Sequence, residues 1–206
     1  MPEIILASQS PRRRDLLTRM GVEFTAIPSD IPEPLDQARD PRENAQELSL
    51  AKARHIAEQY PNAYVIGSDT IVAVDGKQLA KAETVEEARQ MLLDLSKHPS
   101  SVMTGIAVVN KSQGIELVGV EVSDVFFKPD SPEVSGAREV YLASNDWLDK
   151  AGAYGIQSGA APLIDHIRGH YDTIVGLPTH TLTKFLNEVG ISAQPVTEQA
   201  PVPVVE

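Results

Sequence analysis

"IILASQSPRRRDLL", residues 4–17, packs a strand, a turn and a helix start into fourteen positions. Ile4, Ile5 and Leu6 form a short apolar run suited to a buried strand. Ser10 then stands where an N-cap would and Pro11 at the favoured first helical position, with Leu16, Leu17 and Met20 beginning an apolar helical stripe. Arg12, Arg13 and Arg14 therefore fall in the first turn of a helix. A helix N-terminus carries partial positive charge and free N–H groups, and it favours acids over cations. An anionic ligand would resolve the conflict.

Outward from this unit, periodicity alternates between strands and helices, which predicts an α/β fold. Strands are expected near residues 3–8, 22–27, 63–74, 101–110, 116–127 and 162–175, and helices near 11–20, 41–59, 84–97, 131–143 and 179–189. The chain has 206 residues, enough for one well-buried domain, and no Pro/Gly/Ser-rich stretch marks a second. The domain is expected over 1–192. The segment 193–206, "AQPVTEQAPVPVVE", holds three prolines and no aromatic residue and is expected to be a disordered tail.

The absence of cysteine excludes disulfides, thiolate metal sites and a cysteine nucleophile. Neither a signal peptide nor a bilayer-length apolar run is legible, so a cytoplasmic protein without membrane contact is expected. With 29 acidic against 18 basic residues the surface should repel nucleic acid. The arginines then read as one focused pocket.

Four further stretches carry residues that a plain core would not select. "SDIPEPLD" crowds Asp30, Glu33 and Asp36 into a Pro-rich loop, which by itself reads as solvated. Lys52 lies on the apolar stripe of its helix, four residues from Leu48 and Ile56, and can either snorkel to water or serve a site. In "YVIGSDTIVAV", Asp69 interrupts a β-forming run, and a buried carboxylate needs a cation, a metal or several donors. "DKAGAYGIQSGAAP" is rich in small residues that let a ligand approach the backbone, and Gln157 is its side chain able to read a base edge. His166 and His170 lie in strand and turn sequence, not at helical metal-ligand spacing, and read as surface residues.

A polyphosphate with a divalent metal would satisfy this collection together. Helix N-terminal amides and arginines bind phosphate oxygens, carboxylates hold Mg²⁺, and Lys52 and Lys81 add point charge. Helical residues project about 100° apart, so Arg12 and Arg13 can face one ligand while Arg14 turns to solvent. No Walker pattern is present, which leaves hydrolysis by metal-activated water as the simpler chemistry.

The motifs "ILASQSPRRRDLL", "SDIPE", "LSLAKA", "GSDTIV", "KAETVEEARQML", "VMTGIAV", "AGAYGIQ" and "VGLP" occur in the order, and nearly the wording, of the Maf family of nucleoside triphosphate pyrophosphatases. The resemblance spans about residues 3–189. It implies a mixed twisted sheet flanked by helices, with a cleft between two lobes, similar to the inosine triphosphate pyrophosphatases, and a homodimer. It also implies metal-dependent (Mg²⁺ or Mn²⁺) release of pyrophosphate from a nucleoside triphosphate, with Asp69 as catalytic base and metal ligand and Glu33 as a second metal carboxylate. Ser8, Arg13, Lys52 and Lys81 resemble the phosphate-binding set, while Arg12, Thr70 and Gln157 match the branch that hydrolyses dTTP and UTP. The chain departs from the family pattern at "LSKHPSSVMTG", at "AKA" around Lys81 and at "IQSG" after Gln157. The competing expectation is a non-catalytic cell-division regulator that acts by docking a partner; paired carboxylates among cations have no purpose in such a protein.

Overall fold

The computed structural model describes residues 2–34, 36–197 and 200–205. The run at the head of the chain forms β1 (Ile4–Leu6), which lies between two parallel neighbours, β2 (Thr25–Ala26) and β3 (Tyr64–Val74). A strand covered on both faces reads as a continuous apolar run, and all three β1 residues are buried. The parallel connections need crossovers, and α1 (Pro11–Arg19) and α2 (Pro41–Gln59) supply them. Both helices start as the sequence predicts: Ser10 and Asp40 accept from backbone N–H groups of the first turn, and proline follows each cap.

Past β3 the sheet turns antiparallel. A two-residue hairpin at Asp75 and Gly76, both at positive φ (49° and 77°), returns the chain to β4 (Lys77–Gln78) against the end of β3. After α3 (Val85–Leu95), β5 (Ser100–Asn110) pairs with β3 and β6 (Ile115–Phe127) pairs with β5. Then α4 (Pro132–Ala143) leads to β7 (Ile164–Arg168) on β6, followed by α5 (Tyr171–Val175), α6 (Thr179–Glu188) and β8 (Val204–Val205). The order across the sheet is β2-β1-β3-β5-β6-β7-β8, with β4 on β3. This is the α/β fold that the alternation predicts, in the mixed, helix-flanked form that the family resemblance implies.

Side chains of β3 alternate between two faces. Val65, Ile71 and Ala73 pack in the apolar clusters beneath α2, whereas Tyr64, Ile66 and Val72 join the larger core on the other side. Gly67 and Asp69 share the α2 face, and there the helix backbone comes very close. A Cβ on Gly67 would lie 2.1 Å from the Ser49 carbonyl oxygen, and one on Gly105 of β5 would lie 2.0 Å from that of Ala45. The two glycines let α2 settle onto the sheet, and the polar residues Ser49, Lys52 and Asp69 divide the apolar packing beneath it into two clusters.

Two expectations are corrected. The strand expected over 162–175 spans only 164–168: Gly169 takes φ +103°, close against Ser123, and the chain turns into α5. The described residues of 193–206 are packed, not loose. Ala193, Val196 and Val202 are at most 9% exposed, the Val196 N–H donates to Thr179 Oγ1 at 3.0 Å, and β8 pairs in parallel with Ile167 and Arg168. Composition misleads here because widely spaced valines in an extended chain can be buried one at a time without any periodic pattern. Glu198, Gln199 and Glu206 of that segment lie outside the described residues.

Gly105→Ala should therefore destabilise the protein by about 3 kcal/mol or more, because the added methyl meets backbone and not a movable side chain. Gly136 lies inside α4, where an added Cβ would meet no atom within 4 Å. Gly136→Ala should raise stability by about 0.5–1 kcal/mol. Urea unfolding of the two variants checks both signs.

Candidate active site

A cleft of about 330 Å³ opens where β1, β3, α1 and α2 face the loop before β7. Its walls include Ser8, Arg12, Arg13, Glu33, Lys52, Asp69, Thr70, Lys81 and Gln157, so every candidate catalytic, metal-binding or substrate-binding residue read from the sequence reaches one space. Arg14 is exposed and absent from the lining, as the helical projection requires. Asp30 is likewise exposed and outside it.

The two faces of β3 deliver two halves of this site. On the α2 face, Asp69 is 6% exposed and its Oδ1 accepts from Lys52 Nζ at 2.6 Å. Glu33, from the Pro-rich loop, places Oε1 2.7 Å from the same ammonium. Lys52 is itself 6% exposed, so it does not snorkel; it stays on the apolar stripe and holds two carboxylates. Burial pushes the Asp69 carboxyl above the usual carboxylate range, against the pull of Lys52 and Arg13 toward the charged form. A carboxylate held in this way is poised to take up a proton.

On the opposite face, Arg13 is fixed by three hydrogen bonds. Its Nε donates to the Gly176 carbonyl at 2.8 Å, Nη1 to Ser8 Oγ at 3.3 Å and Nη2 to Thr70 Oγ1 at 3.1 Å. Thr70 Oγ1 is 3.1 Å from Thr104 Oγ1, which donates to the Thr173 carbonyl at 2.7 Å. Gly176 sits at φ +113° as the left-handed cap of α5, and its carbonyl also accepts from Ser68 at 2.9 Å. A guanidinium has five N–H donors, so two remain for a ligand. Desolvation lowers the Arg13 pKa, with Asp69 and Glu33 opposing; an anion in the cleft would complete its neutralisation.

The third wall is the loop after α4. Lys81 is tied to it by a bridge to Ala151, and the Ala80 carbonyl accepts from the Gly152 N–H at 3.1 Å, so the alanines flanking Lys81 leave it fixed against the loop. Gln157 is exposed at the mouth, within a turn pinned by the Tyr141 hydroxyl, which accepts from the Gly155 N–H at 3.1 Å. Sequence reasoning passed over Lys150, which also lines the cleft and whose pKa is lowered by burial and by Arg12. It stands within the small-residue stretch already noted, and a second cation beside Lys81 was the available signal. Thr104, buried at the end of a hydroxyl chain, gave no signal. Among the described residues, five cations face three carboxylates across the cleft in a chain of net charge −11. That concentration suits a polyanion.

Mixed-sheet architecture of this kind is shared with a solved HAM1 protein from Coxiella burnetii, with a TM-score of 0.51 and 19% identity over 91% of this chain and 100% of that one. Fold and cleft thus define an α/β protein that shares its fold with that structure and has a pocket in which carboxylates face a cluster of cations. The chain belongs to the Maf family, whose model, described as Maf-like protein, matches residues 3–189. It is 42% identical to a dTTP/UTP pyrophosphatase of Symbiobacterium thermophilum, over 92% of this chain and 95% of that relative. With the dTTP/UTP pyrophosphatase of Pyrococcus furiosus it shares 40% identity over 90% of this chain and 95% of the other. No helix among the described residues is long and apolar enough to cross a membrane.

The elevated Asp69 pKa has a consequence for stability. An acid whose folded pKa exceeds its unfolded value binds more protons when folded, so wild-type stability falls as pH rises through that interval, beginning near pH 4. Asp69→Asn removes this loss. The variant should match wild type at pH 4 and be the more stable of the two at pH 8, as read from urea midpoints.

Proposed function

We propose that the protein hydrolyses dTTP and UTP to the nucleoside monophosphate and pyrophosphate, in the cytoplasm and as a homodimer. The observation that carries this reading is the pairing of Asp69 and Glu33 on the Lys52 ammonium, opposite an Arg13 held with two donors to spare. The names of the relatives at about 40% identity support the same substrate class.

In this reading the phosphates lie along the cationic wall. Arg13, the Ser8 hydroxyl and the Arg12 N–H at the start of α1 receive phosphate oxygens, with the side chains of Arg12, Lys81 and Lys150 supplying further charge. Asp69 orients a water for attack on the α-phosphorus and accepts its proton, for which burial has already raised its affinity. Lys52 keeps Asp69 and Glu33 aimed at one point. The two carboxylates offer hard oxygen donors, and Glu33 has half of its side chain exposed, so the set fits Mg²⁺ or Mn²⁺. When bound, such an ion neutralises the β- and γ-phosphates and the departing pyrophosphate. Gln157 at the mouth presents a donor and an acceptor to the O4 and N3–H edge of thymine or uracil. A partner-docking protein would have no use for a buried carboxylate with a raised pKa.

Pyrophosphate release from dTTP, UTP, CTP, 7-methyl-GTP and ITP with Mg²⁺ or Mn²⁺ tests the reading directly. Activity should be greatest on dTTP and UTP, and faster turnover of 7-methyl-GTP would overturn the branch. Asp69→Asn should lower kcat by about 10²–10⁴-fold while nucleotide binding persists. Gln157→Ala should lower kcat/KM for dTTP and UTP by roughly one to two orders of magnitude and affect other triphosphates much less.

A further inference from the structure

Where β7 passes into α5 and α5 into α6, three ligand-type side chains converge outside the cleft. His170 precedes α5, Asp172 lies in its first turn and His180 in the first turn of α6, and one donor atom from each lies within 4.8 Å of the others. The two imidazoles stack with ring centroids 4.2 Å apart and 27° between their planes. Nδ1 of His180 is buried without a hydrogen-bond partner among the described residues. A buried nitrogen left in that state is unfavourable unless something else occupies its lone pair or takes its proton.

Asp172 is oriented by its neighbours. It is 4% exposed, and it accepts from the Thr173 N–H at 3.0 Å, the Thr179 N–H at 2.7 Å and the Thr179 hydroxyl. A carboxylate has about four lone-pair sites, so one is left over. Hydrogen bonds of this outer kind hold a metal-ligating carboxylate in place.

We propose that His170, Asp172 and His180 form a binding site for a borderline-soft divalent cation, with Zn²⁺ the best match, separate from the Glu33 and Asp69 pair. Two imidazoles with one carboxylate select Zn²⁺, Co²⁺ or Ni²⁺ over Mg²⁺, which prefers oxygen ligands. Bonds of about 2.0–2.1 Å bring tetrahedral ligand atoms roughly 3.3 Å apart. The exposed His170 ring is free to swing inward by the small distance required. The cation would staple a corner on which other parts depend. Thr179, bonded to Asp172, also accepts from the Val196 N–H, and α5 ends in the Gly176 carbonyl that receives Arg13.

The test is calorimetric titration of the untagged, chelator-stripped full chain with ZnCl₂ in excess MgCl₂, repeated with CoCl₂ under visible absorption. One equivalent should bind in the micromolar range or tighter, with d–d bands for Co²⁺. His170→Gln and His180→Gln should each weaken binding roughly tenfold or more with unchanged circular dichroism, and Asp69→Asn should bind as wild type does. His170 is exposed and stacks only against His180 among the described rings, so its replacement leaves the core packing in place and the circular dichroism checks the fold. Absence of saturable Zn²⁺ binding below about 100 μM, equal affinity in both histidine variants and wild type, or loss of binding in Asp69→Asn would each overturn the proposal.

Discussion

One ammonium between two carboxylates organises the centre of this protein. Burying Lys52 beneath α2 would be prohibitive alone, and so would burying Asp69; together, with Glu33 closing from the loop, they form a set that the low-dielectric environment tolerates. The arrangement costs apolar packing, since the layer under α2 is split into two clusters around it. It also constrains the backbone. Gly67 lies two residues from Asp69 on the same face, and Gly105 is the partner of Asp69 in the ladder, so the helix that carries Lys52 can approach only because neither glycine has a side chain.

The strand behind that pair does double duty through its two-residue period. Asp69 points to α2 while Thr70 points to α1 and Arg13. The carboxylate proposed to accept the proton and the guanidinium proposed to bind phosphate therefore lie against opposite faces of one interior strand, meeting where it borders the cleft. Precision of this sort is hard to achieve with loops. The remaining wall is a loop, and it is the wall that carries Gln157, the group proposed to read the base.

Much of this was legible in the residues because the conflicts were local. Three arginines in the first turn of a helix and an aspartate within a β-forming run each violate a rule that holds within a few residues, and each violation marks the site. Lys52 was ambiguous from sequence, since its fate depended on whether a carboxylate faced it across 17 positions of chain, and only packing decides that. The same limit hid the short α5 and the burial of Ala193, Val196 and Val202. Gly169 stops β7 through its contact with Ser123, and Val196 is held by Thr179, partners far away in sequence that leave no periodic trace. Glu33 shows the reverse case: its surroundings read as a plain solvated loop, and the family motif, not the physics of the loop, singled it out.

The two-residue strands that end the sheet decide how much of its backbone is left unpaired at either side. Long strands with free N–H and C=O rows invite pairing with another chain, and β3, β5 and β6, of 11, 11 and 13 residues, would be strong templates if uncovered. The order of strands ends in β2 and β8, two residues each, with β3, β5 and β6 between them; β6 is paired along its length with β5 but with β7 only over Asp124–Phe127, so Ile115–Ser123 carry a ladder on one side. Pairing Val204 and Val205 onto β7 buries neither side chain; what it does is close the backbone of Ile167 and Arg168 at the end of the strand order, and it leaves the one-sided stretch of β6 as a backbone edge that strand addition could use.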